Sequence, residues 1–290
     1  MTQLWGEAGG SKTKHLLAGL FVAVALGLLA LLGLTGGGSL AANGCPGYGY
    51  GYGYGYGYCP PPAPVATTLT LAPAVDTNPV DTSHTVTATV LDQFASPMSG
   101  VVVRFTVTGA AATTGMCTTN TSGQCTFTYP GPPLPGADVI SAYADADGDS
   151  VRDPNEPQAS AAKTWAVPAS TPGCKVSYGV RITAANGDKA TVGGTAQADG
   201  LKGTQTYQDH GPAVRFMVRS VDVDAVVCAA DGTSASIFGT ATVNGAGSFD
   251  YRVDVRDVRE PGANDTYRLR LSNGYDSGTQ LLFGGNVQVR

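Results

Sequence analysis

The densest chemistry in this sequence is a run of acids, with Asp145, Asp147, Asp149, Asp153 and Glu156 inside twelve residues. Counted from Asp145, carboxylates fall at positions 1, 3, 5, 9 and 12, and the Val151 carbonyl at 7. That is the ligand spacing of a calcium loop, with Glu156 in the place of the bidentate ligand. Carboxylates this close repel one another unless a cation lies between them. The spacing predicts a structural Ca²⁺ on Asp145, Asp147, Asp149, Val151, Asp153 and Glu156; the bland alternative is a solvated acidic turn. Two departures matter. Position 6 is Ser150, where such loops carry glycine, and Gly148 stands at position 4 instead. The flanking pattern is strand, not helix, so this is no EF-hand.

The six cysteines are Cys45, Cys59, Cys117, Cys125, Cys174 and Cys228. An even count behind an apparent export signal reads as disulfides, and six cysteines allow 15 pairings. The local set is preferred: Cys45–Cys59 around a repeat, Cys117–Cys125 across a hairpin turned by Asn120-Thr121-Ser122-Gly123, and Cys174–Cys228 stapling the last domain. The absence of Cys-x-x-Cys argues against zinc.

Little else is equipped for catalysis. Beyond the N-terminal segment the only histidines are His84 and His210, and no nucleophile elbow, zinc-protease helix or phosphate loop occurs. Asp257, Glu260 and Asp265 can gather at one loop as a cation site or an acid pair, but such residues are favoured in turns for their own sake. His210 beside Asp209 reads as a loop pair. The chain is therefore expected not to be an enzyme.

The elements that would position these residues are strands. Only 13% of the 290 residues are charged, and 40 glycines with 18 prolines supply many turns. The net charge of −5 argues against nucleic acid as a partner. Lys12, Lys14 and His15 precede an apolar run from Leu16 to Leu34, and Ser39-Leu40-Ala41 follows as a cleavage site. Residues 1–41 are thus a secretory signal, or an N-terminal membrane anchor, since the run is long enough to cross a bilayer as a helix. Either way the rest of the chain lies outside the cytoplasm.

Residues 42–65 form a low-complexity linker. Gly47–Tyr58 is six Gly-Tyr dipeptides, followed by Pro60-Pro61-Pro62-Ala63-Pro64. It reads as a spacer, or as a row of tyrosines able to stack on glycans or on each other.

Residues 66–167 alternate as about seven short strands, the signature of a two-sheet sandwich. Val101, Val103, Phe105 and Val107 make one face; Val102, Arg104, Thr106 and Thr108 make the other. The stretches Val90-Leu91-Asp92-Gln93, Pro97–Gly109 and Thr118–Gln124 leading into Phe127-Thr128-Tyr129 resemble bacterial immunoglobulin-like domains of the invasin and intimin type. The resemblance implies a cell-surface module used as a stalk or in adhesion, and implies no ligand.

Residues 174–290, after Thr171-Pro172-Gly173, read as a second antiparallel β-domain, sandwich or barrel. Phe249, Tyr251, Val253 and Val255 alternate with Asp250, Arg252, Asp254 and Arg256. Tyr207-Gln208-Asp209-His210-Gly211, Gly239–Gly245, Val255-Arg256-Asp257, Glu260-Pro261-Gly262, Asp265-Thr266-Tyr267 and Gly284–Val287 resemble the post-COAP domain of exported bacterial proteins, which implies a compact β-fold without an assigned activity. The expectation is an exported, all-β, calcium-stabilised adhesive or architectural protein. Its partners would be a cell-envelope or extracellular protein or glycan; a carbohydrate- or cell-wall-binding module is the second reading and a secreted hydrolase the third.

Overall fold

The computed structural model describes residues 62–213, 215–258, 262 and 264–290. The apolar N-terminal run, the Gly-Tyr repeat, the Cys45–Cys59 pair and Glu260 lie outside the described residues. Among those described, all regular structure is strand, and no helix is long and apolar enough to cross a membrane.

The first module has eight strands: β1 (Ala66–Ala72), β2 (Val75–Pro79), β3 (Ser83–Asp92), β4 (Val102–Gly109), β5 (Thr113–Thr118), β6 (Gln124–Pro130), β7 (Gly136–Asp145) and β8 (Gln158–Ala166). They form two sheets, β1-β3-β6 and β2-β8-β7-β4-β5. The alternation that predicts strands also sets the core, since every second residue faces inward. Val86, Val103, Ile140 and Trp165 are buried between the sheets. One strand more than expected arises because the chain changes sheet at Pro73, which has no N–H to continue a ladder. β1 pairs antiparallel with β3, and β2 then pairs parallel with β8.

Cys117 and Cys125 are bonded as expected, but not across a hairpin ladder. β5 and β6 are the edges of different sheets, so the bond ties the two layers along one open side. The reversal between them rests on Gly123, whose φ of 69° puts any added Cβ only 2.6 Å from the Val90 carbonyl oxygen.

The second module is a barrel. Its strands are β9 (Lys175–Thr183), β10 (Lys189–Gln197), β11 (Lys202–His210), β12 (Arg215–Cys228), β13 (Ser234–Val243), β14 (Ala246–Arg256), β15 (Thr266–Leu271), β16 (Gln280–Leu281) and β17 (Gly284–Val289). Each pairs antiparallel with the next from β9 to β16, and β17 returns to β9. The seam closes where the Leu282 amide donates to the Asp265 carbonyl and the Phe283 amide to that of Arg181. Tyr178, Tyr207, Tyr251, Tyr267, Ile237 and Leu269 fill the interior. The buried Gln205 satisfies two of the phenols, accepting from Tyr178 and donating to Tyr267 at 2.6 Å.

The two modules do not meet as beads on a string. Ala225 and Phe238 point out of the barrel and are buried in the same apolar cluster as the sandwich core. Arg252 covers Phe238, its guanidinium 5.1 Å from the ring, and donates to Asp81 and, at 3.1 Å, to the Pro133 carbonyl. The connecting segment lies along β12: the Val226 amide donates to Ser170 Oγ at 3.0 Å and the Thr171 amide to the Val226 carbonyl at 2.9 Å. Cys174–Cys228 then anchors its end, as expected.

Candidate cation loop and the buried ionisable clusters

The acidic loop joins β7 to β8 at one end of the sandwich. Asp145 ends β7 with its side chain buried, whereas Asp147 and Asp149 are exposed; their carboxylate oxygens lie within 4.8 Å of one another. Arg104 on β4 donates to Asp145 at 2.6 Å and to Ser150 Oγ at 2.5 Å. That contact, with smaller help from the Ser150 and Gly148 amides, holds the Asp145 carboxyl below the usual carboxylate range. Tyr143 donates to the Ser150 carbonyl at 3.0 Å.

Ser150 has φ 71°. Position 6 of a calcium loop is glycine because it must make this sharp turn. Here a serine adopts the left-handed geometry and is held there by Arg104 and Tyr143.

The loop's second half is arranged differently. Glu156 is buried and accepts main-chain N–H groups from Ala146 at 2.8 Å and Asp153 at 3.0 Å, bracing the loop's base. Burial, then the neighbouring Asp149, Asp147 and Glu156, push the Asp153 carboxyl upward. Val151 is exposed. Asp145, Asp147 and Asp149 are thus brought together, while Glu156 is committed to the backbone.

The acids of the second module serve its seam. Asp265 accepts from the amides of Val258 at 2.9 Å and Val287 at 3.1 Å, and Asp257 from that of Val289 at 3.0 Å. Both carboxylates bridge β17 to the β14–β15 connection, as turn-capping residues do. Asp209 is fully buried; it accepts from the Gly211 amide and shares the Asn186 side-chain amide with Asp188. His210 is exposed and bonds Thr191 Oγ1 at 2.9 Å, apart from Asp209 in role.

Sequence reasoning passed over two clusters inside the sandwich. In the first, Asp138 accepts from Trp165 Nε1 at 2.6 Å, Tyr129 Oη at 3.3 Å and the Ala111 amide at 2.8 Å. In the second, Lys163 Nζ and His84 Nδ1 both reach Asp76 Oδ2, at 3.0 Å and 3.1 Å. Lys163 and His84 are almost wholly buried, and Lys163 Nζ stands 4.7 Å over the Trp165 ring. The Lys163 hydrogen bond lowers the Asp76 pKa, and burial followed by the Lys163 charge lowers that of His84. The signal was present: Lys163 lies between the inward Ala161 and Trp165, and His84 in phase with Val86, Ala88 and Val90.

A shallow groove of about 300 Å³ crosses the outer face of the barrel, lined by Lys175, Thr195, Gln197, Lys202, Gln288 and Arg290 among others. Lys175 is directly opposite Gln197, and Gln197 opposite Lys202, so the cations form a row across the strands.

No family model and no curated protein matches the chain, so its resemblance to the invasin-type and post-COAP domains rests on the quoted residues alone. Three solved chains match, of which two are described. One is titled "Structure of surface layer protein SbsC, domains 4-9", with 10% identity, 78% of this chain and 31% of that chain covered, and a TM-score of 0.26. The other, "Structure of the S-layer protein SbsC, domains 5-6", has 11% identity, 78% and 98% coverage, and a TM-score of 0.25. The chain spans about a third of the longer one, and at these scores the similarity carries no functional argument.

Proposed function

We propose that this chain is an exported cell-surface or secreted protein whose two β-modules act as one stiff architectural or adhesive element, without enzymatic activity. The observation that carries the reading is the joint: Phe238 buried in the neighbouring module's core, Arg252 locked over it, and the linker bonded along β12. Such a joint suits transmission of geometry from one end to the other. Calcium in the acidic loop would fix the far end of the sandwich. Three converging carboxylates and a Ser150 already in the left-handed turn support that site. Partners in this reading are envelope or extracellular proteins or glycans, with a membrane contact through the N-terminal run if it is retained.

The test has two parts. Protease shaving of intact cells should remove the modules from the surface, and small-angle scattering of the secreted chain should show one fixed arrangement of both. A chain recovered only from the cytoplasm would end the proposal.

The groove on the barrel favours a second reading, binding of an anionic envelope polysaccharide along the Arg290–Lys175–Lys202 row. Salt-sensitive retention on such a polymer, lost on Lys175→Glu with Lys202→Glu, would support it.

A further inference from the structure

The register of the larger sandwich sheet places three ionisable residues in one row. Asp76 on β2 is paired with Lys163 on β8, and Lys163 with Asp138 on β7. Lys163 thus stands between two acids. It contacts only one, because Asp138 is already engaged by Trp165, Tyr129 and the Ala111 amide. The lysine side chain is 0% exposed, and Asp76 is 33% exposed at the sheet edge. A buried ammonium is costly to keep charged, and the ion pair with Asp76 is what offsets that cost.

We propose that Lys163 and Asp76 condense to an intramolecular isopeptide bond that joins the edge strand β2 to the last strand of the module. The donor nitrogen is 3.0 Å from a carboxyl oxygen, which holds it beside the Asp76 carboxyl carbon it must attack. A relay group is in place, since His84 Nδ1 is 3.1 Å from the same oxygen, within reach for general acid–base transfer. Trp165 covers the lysine.

The chemistry balances without any other reactant. The ammonium passes one proton to the carboxylate, giving a neutral amine and a carboxylic acid. The amine lone pair attacks Asp76 Cγ, forming an Nζ–Cγ bond and a tetrahedral intermediate. His84 takes a proton from that nitrogen and returns it to the departing hydroxyl, so the Cγ–O bond breaks and one water leaves past the exposed side of Asp76. Nothing is oxidised or reduced, and the charge of the pair is zero before and after.

The bond would close residues 76–163 into a covalent ring, so the sandwich could not be drawn out strand by strand from its ends. That goes beyond the architectural role proposed above and does not depend on it.

The test is the mass of the intact, secreted, wild-type chain with its disulfides reduced, beside Lys163→Arg and Asp76→Ala. The expected result is a wild type one water lighter than its sequence, both variants at full mass, and a fragment spectrum linking a peptide holding Asp76 to one holding Lys163. A wild type at full sequence mass overturns the proposal, and so does a water loss mapped to a succinimide at Asp147-Gly148 or another Asp-Gly pair. The wild-type measurement stands even if both variants fail to fold.

Discussion

Arg252 on the barrel binds Asp81 on the sandwich while its guanidinium covers the Phe238 ring. Arg252 also bonds Asp254 at 2.8 Å, and Asp254 in turn holds Arg270 at 2.6 Å. The charged outer face of β14 and β15 is therefore a connected lattice ending at the joint between the modules.

Phe238→Ala should uncouple the modules. Truncating a buried phenylalanine costs about 3–5 kcal/mol. Calorimetry is expected to show one transition for the wild type and two for Phe238→Ala with Arg252→Ala. A single transition in the double variant would contradict a coupling role for this joint.

Asp138→Ala should be among the most damaging single changes. It leaves Trp165 Nε1, the Tyr129 hydroxyl and the Ala111 amide without their acceptor, and each stranded buried donor costs about 1–3 kcal/mol. Asp138→Asn should fall between. Urea denaturation orders the three.

Acidification should weaken the fold through His84. Its folded-state pKa lies below the ordinary 6.5, so the unfolded chain binds the proton first. The stabilising difference is complete above 6.5 and is lost as pH falls from there toward the lowered folded value. His84→Gln should flatten that part of the stability–pH curve. Asp145, also lowered, acts further down: its contribution is present above 3.8 and is lost as pH falls through its folded value. An unchanged slope for His84→Gln would refute the assignment.

Two acids of the loop should behave differently toward calcium. Glu156→Ala removes the acceptor for the Ala146 and Asp153 amides and should lower the melting temperature with or without the ion. Asp147→Ala should leave the calcium-free protein almost unchanged and abolish the rise that calcium produces. A wild type that melts identically in calcium and in chelator removes the metal from the account.

Loss of Cys174–Cys228 should cost more than loss of Cys117–Cys125. The bonds span 54 and 8 residues, and chain entropy gives about 4 and about 2.5 kcal/mol respectively. Paired Cys→Ser variants compared by denaturant midpoint measure the difference.

The strand pattern was legible because alternation is a local property. Val101 to Val107 and Tyr251 to Val255 face the cores as their spacing requires, whereas Phe249 is only half-buried. The same parity put Lys163, His84 and Asp138 inside, yet polar residues at inward positions read as noise until their partners were brought in from other strands. Asp76 is 87 positions from Lys163, and no local rule links them. The Cys117–Cys125 pairing was legible but its setting was not, because a short turn between two strands does not reveal whether they share a sheet. In the acidic loop the spacing located the carboxylates and missed that Glu156 would turn to the backbone. The joint was invisible for another reason: Phe238 follows the inward Ile237, and an outward phenylalanine acquires its meaning only from the module that covers it.

The closed barrel has consequences for how the chain associates. The barrel's sheet ends only on β16, two residues long, and on β17, whose Val287 and Val289 amides are taken by Asp265 and Asp257; the other open sheet edges of the described structure belong to the sandwich. Two of those edges, β5 and β6, are handcuffed to each other by Cys117–Cys125. Export into an oxidising compartment would thus guard against fibre growth as well as secure the fold, and the reduced chain would be the form that seeds aggregates.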